Sequence, residues 1–196
     1  MTKLIIMVAA FAPQAGKSTF AKELGTPWVF NFAEPMKRML QGLLEAQCGY
    51  KFSEAVEALW GNTKGEPFRL SPDPSVTHRK MMQTLGTEWR LALGYENLWA
   101  DILKDKIARK DFSTCIIDDW RFLNEYQVIK DLEKDGFKVI TVCIRNTNAE
   151  ANYNGTHASE GELKDFGFDF TFNNNGSLDE FKAEVKEFAK SLESRL

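Results

Sequence analysis

The chain has 196 residues, a formal net charge of -3 and 43% hydrophobic residues, a composition typical of a globular protein with a substantial core. The acidic balance argues against a broad surface for polymeric nucleic acid, and no apolar run approaches the roughly 20 residues of a membrane span. Its three cysteines are widely spaced and form no C-x-x-C pair, so we expect no zinc site and a reducing, cytoplasmic environment.

The first predicted element is a strand over residues 3–10, where the chain is almost continuously apolar. Such a run is typical of a strand that is covered on both faces in a parallel sheet. A lysine precedes the run, as in a secretory signal, but cleavage there would destroy the phosphate-binding sequence that follows. We therefore expect this segment to be a structural strand.

The segment after this strand, residues 11–19, reads FAPQAGKST and is a Walker A arrangement. Backbone N–H groups and the amino end of a helix attract phosphate, Lys17 supplies a cation, and the Ser18 hydroxyl can ligate magnesium. Gly16 lets the backbone approach the phosphates, whereas Phe11 replaces the first glycine of the pattern and leaves the loop geometry there an open question. The residues predicted to bind ATP are Ala12, Gln14, Ala15, Gly16, Lys17, Ser18 and Thr19.

Four further short runs predict strands, at residues 28–32, 114–117, 138–144 and 168–172. Helical stretches separate them, which indicates βαβ units. We therefore predict an α/β protein with a three-layer P-loop NTPase fold, whose mostly parallel five-stranded sheet is flanked by helices, in one domain over residues 1–196.

The last segment of the chain predicts an amphipathic helix. Ser177 and Glu180 have the spacing of a capping box at its start. Apolar residues then follow at steps of three and four, as expected for a helix face that packs on a core. This stripe consists of Leu178, Phe181, Val185, Phe188 and Leu192.

An acidic cluster follows the predicted strand at residues 114–117, where the sequence is Asp118-Asp119-Trp120-Arg121. Ligands of open parallel sheets bind at the carboxyl ends of the strands. A carboxylate there can organise magnesium, and an arginine can neutralise the charge of a phosphoryl group in transfer. Asp118 and Asp119 are both candidates, so the predicted metal site is Ser18, Asp118 and Asp119. The predicted catalytic residues are Lys17, Asp119 and Arg121.

Four other segments carry a resemblance to a known family. They are residues 32–37 (FAEPMK), 77–89 (THRKMMQTLGTEW), 119–125 (DWRFLNE) and 157–160 (HASE). Together with the phosphate loop, and in this order, they resemble the deoxynucleoside monophosphate kinases of tailed bacteriophages. The resemblance implies an acceptor-binding insertion at about residues 33–100 and a lid at about residues 145–163. It also implies acceptor contacts from Lys37, Arg79, Gln83, Glu88 and Trp89, and lid residues Arg145, His157, Ser159 and Glu160.

This resemblance implies a nucleoside monophosphate kinase that transfers the γ-phosphate of ATP, with Mg²⁺, to a deoxynucleoside 5'-monophosphate. Its partners would be small nucleotides in the cytoplasm of an infected bacterium, with a homodimer left open. The family often carries Gly-Arg after Glu-Trp, whereas here Arg90 comes one residue early. We therefore interpret Arg90 as a solvated helix charge, and Trp89 and Trp99 as core or pocket-wall residues.

Two alternative functions remain open at this point. The first is a P-loop kinase of another small phosphorylated metabolite, similar to phosphomevalonate kinases, because the loop reports the donor and not the acceptor. The second is a regulatory protein that binds ATP without catalysis, for which the replacement of the first loop glycine by Phe11 is the best argument.

Overall fold

The computed structural model describes residues 2–153 and 161–193. The chain divides into two compact units, one formed by Met1–Phe32 with Leu103–Leu196 and the other by Ala33–Ile102. The second unit spans nearly the range expected for the acceptor-binding insertion. In the described ranges, we find no helix with both the length and the apolar character that a bilayer crossing needs.

The first unit is built on a sheet that has five strands in the described part of the chain. Neighbouring strands are parallel throughout, and their order is β2-β3-β1-β4-β5. This sheet and the helices around it confirm the predicted α/β fold with a five-stranded sheet. The strands are β1 (Lys3–Ala10), β2 (Val29–Phe30), β3 (Thr114–Ile117), β4 (Phe137–Arg145) and β5 (Phe170–Asn173).

Strand β1 lies at the centre of the sheet, and this position explains its uninterrupted apolar sequence. Met7 is paired with Ile117 on one side and with Thr141 on the other, and residues 4–9 are almost completely buried. Because all five strands run in the same direction, their carboxyl ends lie along one edge of the sheet. The phosphate loop and the acidic cluster both follow strands at this edge.

Strand β2 is shorter than the predicted strand at residues 28–32. Asn31 and the backbone N–H of Phe32 leave the ladder and donate hydrogen bonds to the carboxylates of Asp118 and Asp119 instead. The last two residues of the predicted strand therefore contact the acidic cluster instead of extending β2.

Helices occupy the chain segments between the strands and after β5. They are α1 (Lys17–Leu24), α2 (Glu34–Ala46), α3 (Phe52–Leu59), α4 (His78–Thr84), α5 (Arg90–Ala92), α6 (Leu98–Ala108), α7 (Leu123–Lys130), α8 (Thr147–Ala151) and α9 (Leu178–Glu193). Short 3-10 turns occur at Thr63–Gly65 and Asp131–Asp135.

Helix α9 begins with the predicted capping box. The backbone N–H of Ser177 donates to the Glu180 carboxylate at 2.7 Å, and the N–H of Glu180 donates to the Ser177 hydroxyl at 3.2 Å. From Phe181 onward the apolar stripe is buried against α1 and the sheet. Leu178 is 55% exposed, so the prediction that it faces the core is wrong.

The second unit contains α2 to α5 and has its own apolar core. Met36, Leu44, Leu59 and Trp99 are among its buried members. Between α4 and α5 the chain forms a single π-helical turn, Leu85–Trp89, a distortion that is frequent at functional sites.

Candidate functional site

In the loop from β1 to α1, the glycine of the Walker A pattern has a positive φ, a conformation that glycine adopts readily. Gly16 has a φ of 115°, and Gln14, with a φ of 61°, is the only non-glycine residue with positive φ in the described part of the chain. Phe11 is outside the left-handed region, so its backbone does not require glycine. The replacement of the first pattern glycine is therefore compatible with the loop, and the question that the sequence left open is answered.

The Phe11 side chain has a defined environment of its own. Its ring packs edge-on against Phe168, with the ring centroids 6.3 Å apart. The guanidinium of Arg145 lies 5.1 Å from the Phe11 ring centroid, within the range of a cation–π contact. Glu150 holds this guanidinium through an ion pair of 2.7 Å, which raises the pKa of Arg145 and lowers that of Glu150.

Lys17 is the first residue of α1, and its ammonium lies in a cluster of charges. Burial lowers the pKa of Lys17, and the guanidinium of Arg121 lowers it further. The carboxylates of Asp118 and Asp119 act in the opposite direction and raise this pKa. Because charge effects of this kind act at short range, the structure brings together four residues that the sequence assigned to the donor and metal sites. We call these four residues the charged cluster.

The main chain around Arg121 is fixed by residues that sequence reasoning did not single out. The carboxylate of Glu125 accepts hydrogen bonds from the N–H groups of Arg121 and Phe122, at 2.8 and 3.0 Å. Trp120 is 1% exposed and packs edge-on against Phe166, with the ring centroids 4.9 Å apart. Trp120 thus anchors this segment in the core. The hydrogen bonds of Glu125 give a structural reason for a glutamate at the last position of the motif at residues 119–125.

The predicted metal site offers a hydroxyl and two carboxylates, which are oxygen ligands of the kind that magnesium takes. Within residues 2–153 and 161–193, no group of three or more His, Cys, Asp or Glu side chains is arranged to hold a metal. Magnesium is usually held by one or two carboxylates together with substrate phosphates and water. The Ser18 hydroxyl and the carboxylates of Asp118 and Asp119 are the donors of that kind in the predicted metal site.

A further contact to the loop was missed at the sequence level. Asn174, one residue after β5, donates from Nδ2 to the Ala15 carbonyl oxygen at 2.9 Å. The only signal in the sequence was the run of asparagines at residues 173–175, which follows a predicted strand. Parallel strands place this run at the same edge as the loop, but its pairing could not be derived without the strand order.

The residues predicted to bind the acceptor belong to the second unit. Lys37 lies on α2, with its ammonium 5.5 Å from the ring centroid of Trp60. Arg79 and Gln83 are four residues apart on α4 and therefore share a face of that helix. Glu88 and Trp89 lie in the π-helical turn and are exposed. The donor residues lie in the first unit, and these acceptor roles stay predictions.

The π-helical turn is held by Trp99 and Gly86. The Trp99 indole N–H donates to the Gly86 carbonyl oxygen at 3.1 Å, and its ring stacks on Trp89, with the centroids 5.8 Å apart. A Cβ at Gly86 would lie 3.0 Å from the sulfur of Met36, a contact that would require the Met36 side chain to shift slightly. Trp99 is a core residue, as interpreted from the sequence, whereas Trp89 keeps 37% of its surface exposed.

The interpretation of Arg90 as a solvated helix charge is wrong. Arg90 is only 5% exposed, and its guanidinium donates a hydrogen bond to the carbonyl oxygen of Glu96. Arg90 therefore ties α5 to the loop that precedes α6.

The predicted lid is described only in part. Arg145 is the last residue of β4, and α8 follows directly after Asn146. His157, Ser159 and Glu160 lie outside the described residues, so their assignment to a lid stays a prediction.

Comparisons with known proteins support the resemblance. A family model described as deoxynucleotide monophosphate kinase matches residues 68–185. The deoxynucleoside-5'-monophosphate kinase of Escherichia phage T5 is 29% identical over 88 residues, which cover 45% of this chain and 35% of the phage protein. The matched region thus spans about a third of the length of that relative. The phosphate loop precedes the region that the family model matches, so its geometry adds to that match.

Proposed function

The chain belongs to the deoxynucleotide monophosphate kinase family, and from this membership we propose that it transfers the γ-phosphate of ATP to a deoxynucleoside 5'-monophosphate. The observation that carries the proposal is the charged cluster beside the phosphate loop. Two cations and two carboxylates around the start of α1 are what phosphoryl transfer requires of a protein, because this reaction depends on positioning and charge neutralisation.

In the proposed reaction, Lys17 and the backbone N–H groups of the loop bind the donor phosphates. Arg121 neutralises the charge that develops on the phosphoryl group during transfer, and Glu125 holds the main chain from which this guanidinium extends. The acceptor phosphate itself is the nucleophile, so no side chain has to form a covalent intermediate.

We assign the metal site to Ser18 and to the carboxylates of Asp118 and Asp119. When bound, Mg²⁺ would neutralise phosphate charge and keep the donor phosphates in place. Asn31 and the N–H of Phe32 donate hydrogen bonds to these two carboxylates, so both are oriented by the segment after β2.

In the second unit, Lys37 and Arg79 would bind the acceptor monophosphate, which needs cations. Gln83 and Glu88 carry the amide and carboxylate groups that recognise the edge of a base. The exposed face of Trp89, whose ring already stacks on Trp99, would form a wall of the same pocket.

Segment 145–163 is assigned in this proposal to a lid that excludes water from the transfer, because water would otherwise accept the phosphate. Arg145, held by Glu150, lies at the base of this segment. As an enzyme that supplies diphosphates for DNA synthesis, the protein would act in the cytoplasm of an infected bacterium.

The test is an acceptor panel. Each of the four deoxynucleoside monophosphates is incubated with ATP and Mg²⁺, and ADP release is followed with a coupled assay, with a ribonucleotide, phosphomevalonate and no acceptor as controls. We expect ADP release with at least one deoxynucleotide and only background release without an acceptor. Tight ATP binding without transfer to any deoxynucleotide would refute the proposal and favour a regulatory ATP-binding protein.

A further inference from the structure

Asn174 reaches the phosphate loop from a segment that is distant in the sequence. Its Nδ2 donates to the carbonyl oxygen of Ala15, 159 residues earlier, at 2.9 Å. Ala15 is 2% exposed, so this carbonyl group faces the protein interior rather than solvent. The bond therefore links the residue after β5 to the peptide that precedes Gly16.

Gly16 fits this contact closely. A Cβ at this position would lie 2.6 Å from Nδ2 of Asn174 and 3.2 Å from the ring of Phe181. Its φ of 115° is also a conformation that residues with side chains rarely adopt. The loop and the Asn174 amide are thus in direct contact, with no space for a side chain between them.

The backbone of Asn174 is itself fixed on both sides. Its N–H donates to the carbonyl oxygen of Arg145 at 2.8 Å, and its carbonyl oxygen accepts from Nδ2 of Asn146 at 2.5 Å. The Oδ1 of Asn146 in turn caps α8 by accepting from the N–H of Ala149 at 2.8 Å. The Asn174 backbone is therefore held by hydrogen bonds at the ends of β4 and β5.

We propose that Asn174 is a positioning residue that locks the Ala15–Gly16 peptide, so that the N–H of Gly16 points toward the donor phosphates. This inference rests on the proposed function. The C=O and N–H of a trans peptide point in opposite directions, so a bond that holds the Ala15 oxygen also sets the direction of the Gly16 N–H. Rotation of a peptide next to glycine meets little steric resistance, and a rotated peptide would direct its oxygen at the anion. The loop therefore needs a partner that prevents this rotation.

The test compares variants at position 174. Asn174→Ala removes the side-chain donor and keeps the two backbone hydrogen bonds of this residue. We expect the KM for ATP to rise about 3- to 10-fold, the range for one hydrogen bond, while the KM for the acceptor stays within about two-fold. Asn174→Asp should raise the KM for ATP further, because a carboxylate cannot donate to the carbonyl and adds negative charge beside the phosphates. Calorimetric titration with Mg-ATP and no acceptor measures the same loss without turnover.

Asn175→Ala is the matched control. Asn175 is adjacent, but it accepts hydrogen bonds from the N–H and hydroxyl of Thr147, at 2.8 and 2.9 Å, and its loss should leave ATP affinity unchanged. Wild-type ATP affinity in Asn174→Ala would overturn the proposal. A joint rise of both KM values with a lower Tm would also overturn it, because that pattern indicates a general loss of structure. If the wild-type protein binds Mg-ATP but phosphorylates no deoxynucleotide, the proposed function fails, and the calorimetric comparison still decides the role of Asn174.

Discussion

Lys17 illustrates how a functional residue can oppose the stability of the fold that holds it. Burial disfavours its charged form, and the nearby Arg121 adds like-charge repulsion; both effects lower the pKa of Lys17. The carboxylates of Asp118 and Asp119 offset part of this cost. A group held in this way is typical of a site that is arranged to receive a strongly negative ligand.

Replacement of Lys17 by Met therefore should separate activity from stability. We expect Lys17→Met to lower turnover by at least about 100-fold, the effect of removing one preorganised electrostatic contact, with no decrease in Tm at neutral pH. Lys22→Met, on the exposed surface of the same helix, should keep both properties. The measurements are ADP release and thermal denaturation, and a Lys17→Met protein with near-normal turnover would contradict the donor-site assignment.

The lowered pKa of Lys17 predicts how the free energy of unfolding changes with pH. Because the pKa of Lys17 is lower in the folded protein than its usual value of 10.5, the unfolded chain binds more protons between these two values. The wild-type free energy of unfolding should therefore gain a contribution from Lys17 as the pH rises through this window. Lys17→Met should lack this contribution. The measurement is denaturation of the wild type and of Lys17→Met at neutral pH and near pH 10.5.

At the scale of elements, the strands were predictable because a buried parallel strand has a distinctive apolar sequence. The predicted segments at 3–10 and 114–117 agree with β1 and β3 at every residue. The end of β2 was not predictable, because it depends on hydrogen bonds from Asn31 and Phe32 to aspartates that are 87 residues away. The burial of Arg90 was missed for a similar reason, since it depends on the fold of the loop before α6.

Helix α9 offers a test of how far a sequence pattern predicts packing. Phe188 and Leu178 both belong to the predicted stripe, but Phe188 is 8% exposed and Leu178 is 55% exposed. Phe188 also contacts the rings of Phe20 in α1 and Phe172 in β5. It therefore supports the helix that begins at Lys17, whereas Leu178 does not have this role.

Alanine at the two positions should have very different effects. We expect Phe188→Ala to lower the free energy of unfolding by about 3–5 kcal/mol, because it leaves a cavity in the core. Leu178→Ala should change it by no more than about 0.5 kcal/mol, as is usual for an exposed position. Urea denaturation measures both values, and equal losses would show that the helix packs along its whole stripe.

At the scale of the whole molecule, the donor and acceptor residues are assigned to different compact units. The family resemblance implied an acceptor-binding insertion at about residues 33–100, a segment that no linker composition marks in the sequence. The phosphate loop was recognised from local sequence alone, because a strand, a loop that ends in Gly16-Lys17-Ser18 and a helix follow one another directly. Its support by Asn174 depends on the strand order β1-β4-β5, which only the folded chain defines.

Because the donor and acceptor residues are assigned to different units, we predict that single substitutions can abolish the binding of one substrate and leave the binding of the other intact. A ligand that binds only the folded protein raises the free energy of unfolding by about 2.7 kcal/mol at a concentration 100 times its Kd, or about 5–11 °C in Tm for a chain of this size. We expect Mg-ATP and an accepted deoxynucleotide each to produce such a rise in the wild type. In Lys17→Met, Mg-ATP should no longer raise the Tm, whereas the deoxynucleotide should still raise it. In Arg79→Ala, Mg-ATP should still raise the Tm, whereas the deoxynucleotide should not. If both variants lose both responses in calorimetric scans, the two sites are not separable, and the assignment of donor and acceptor to different units is wrong.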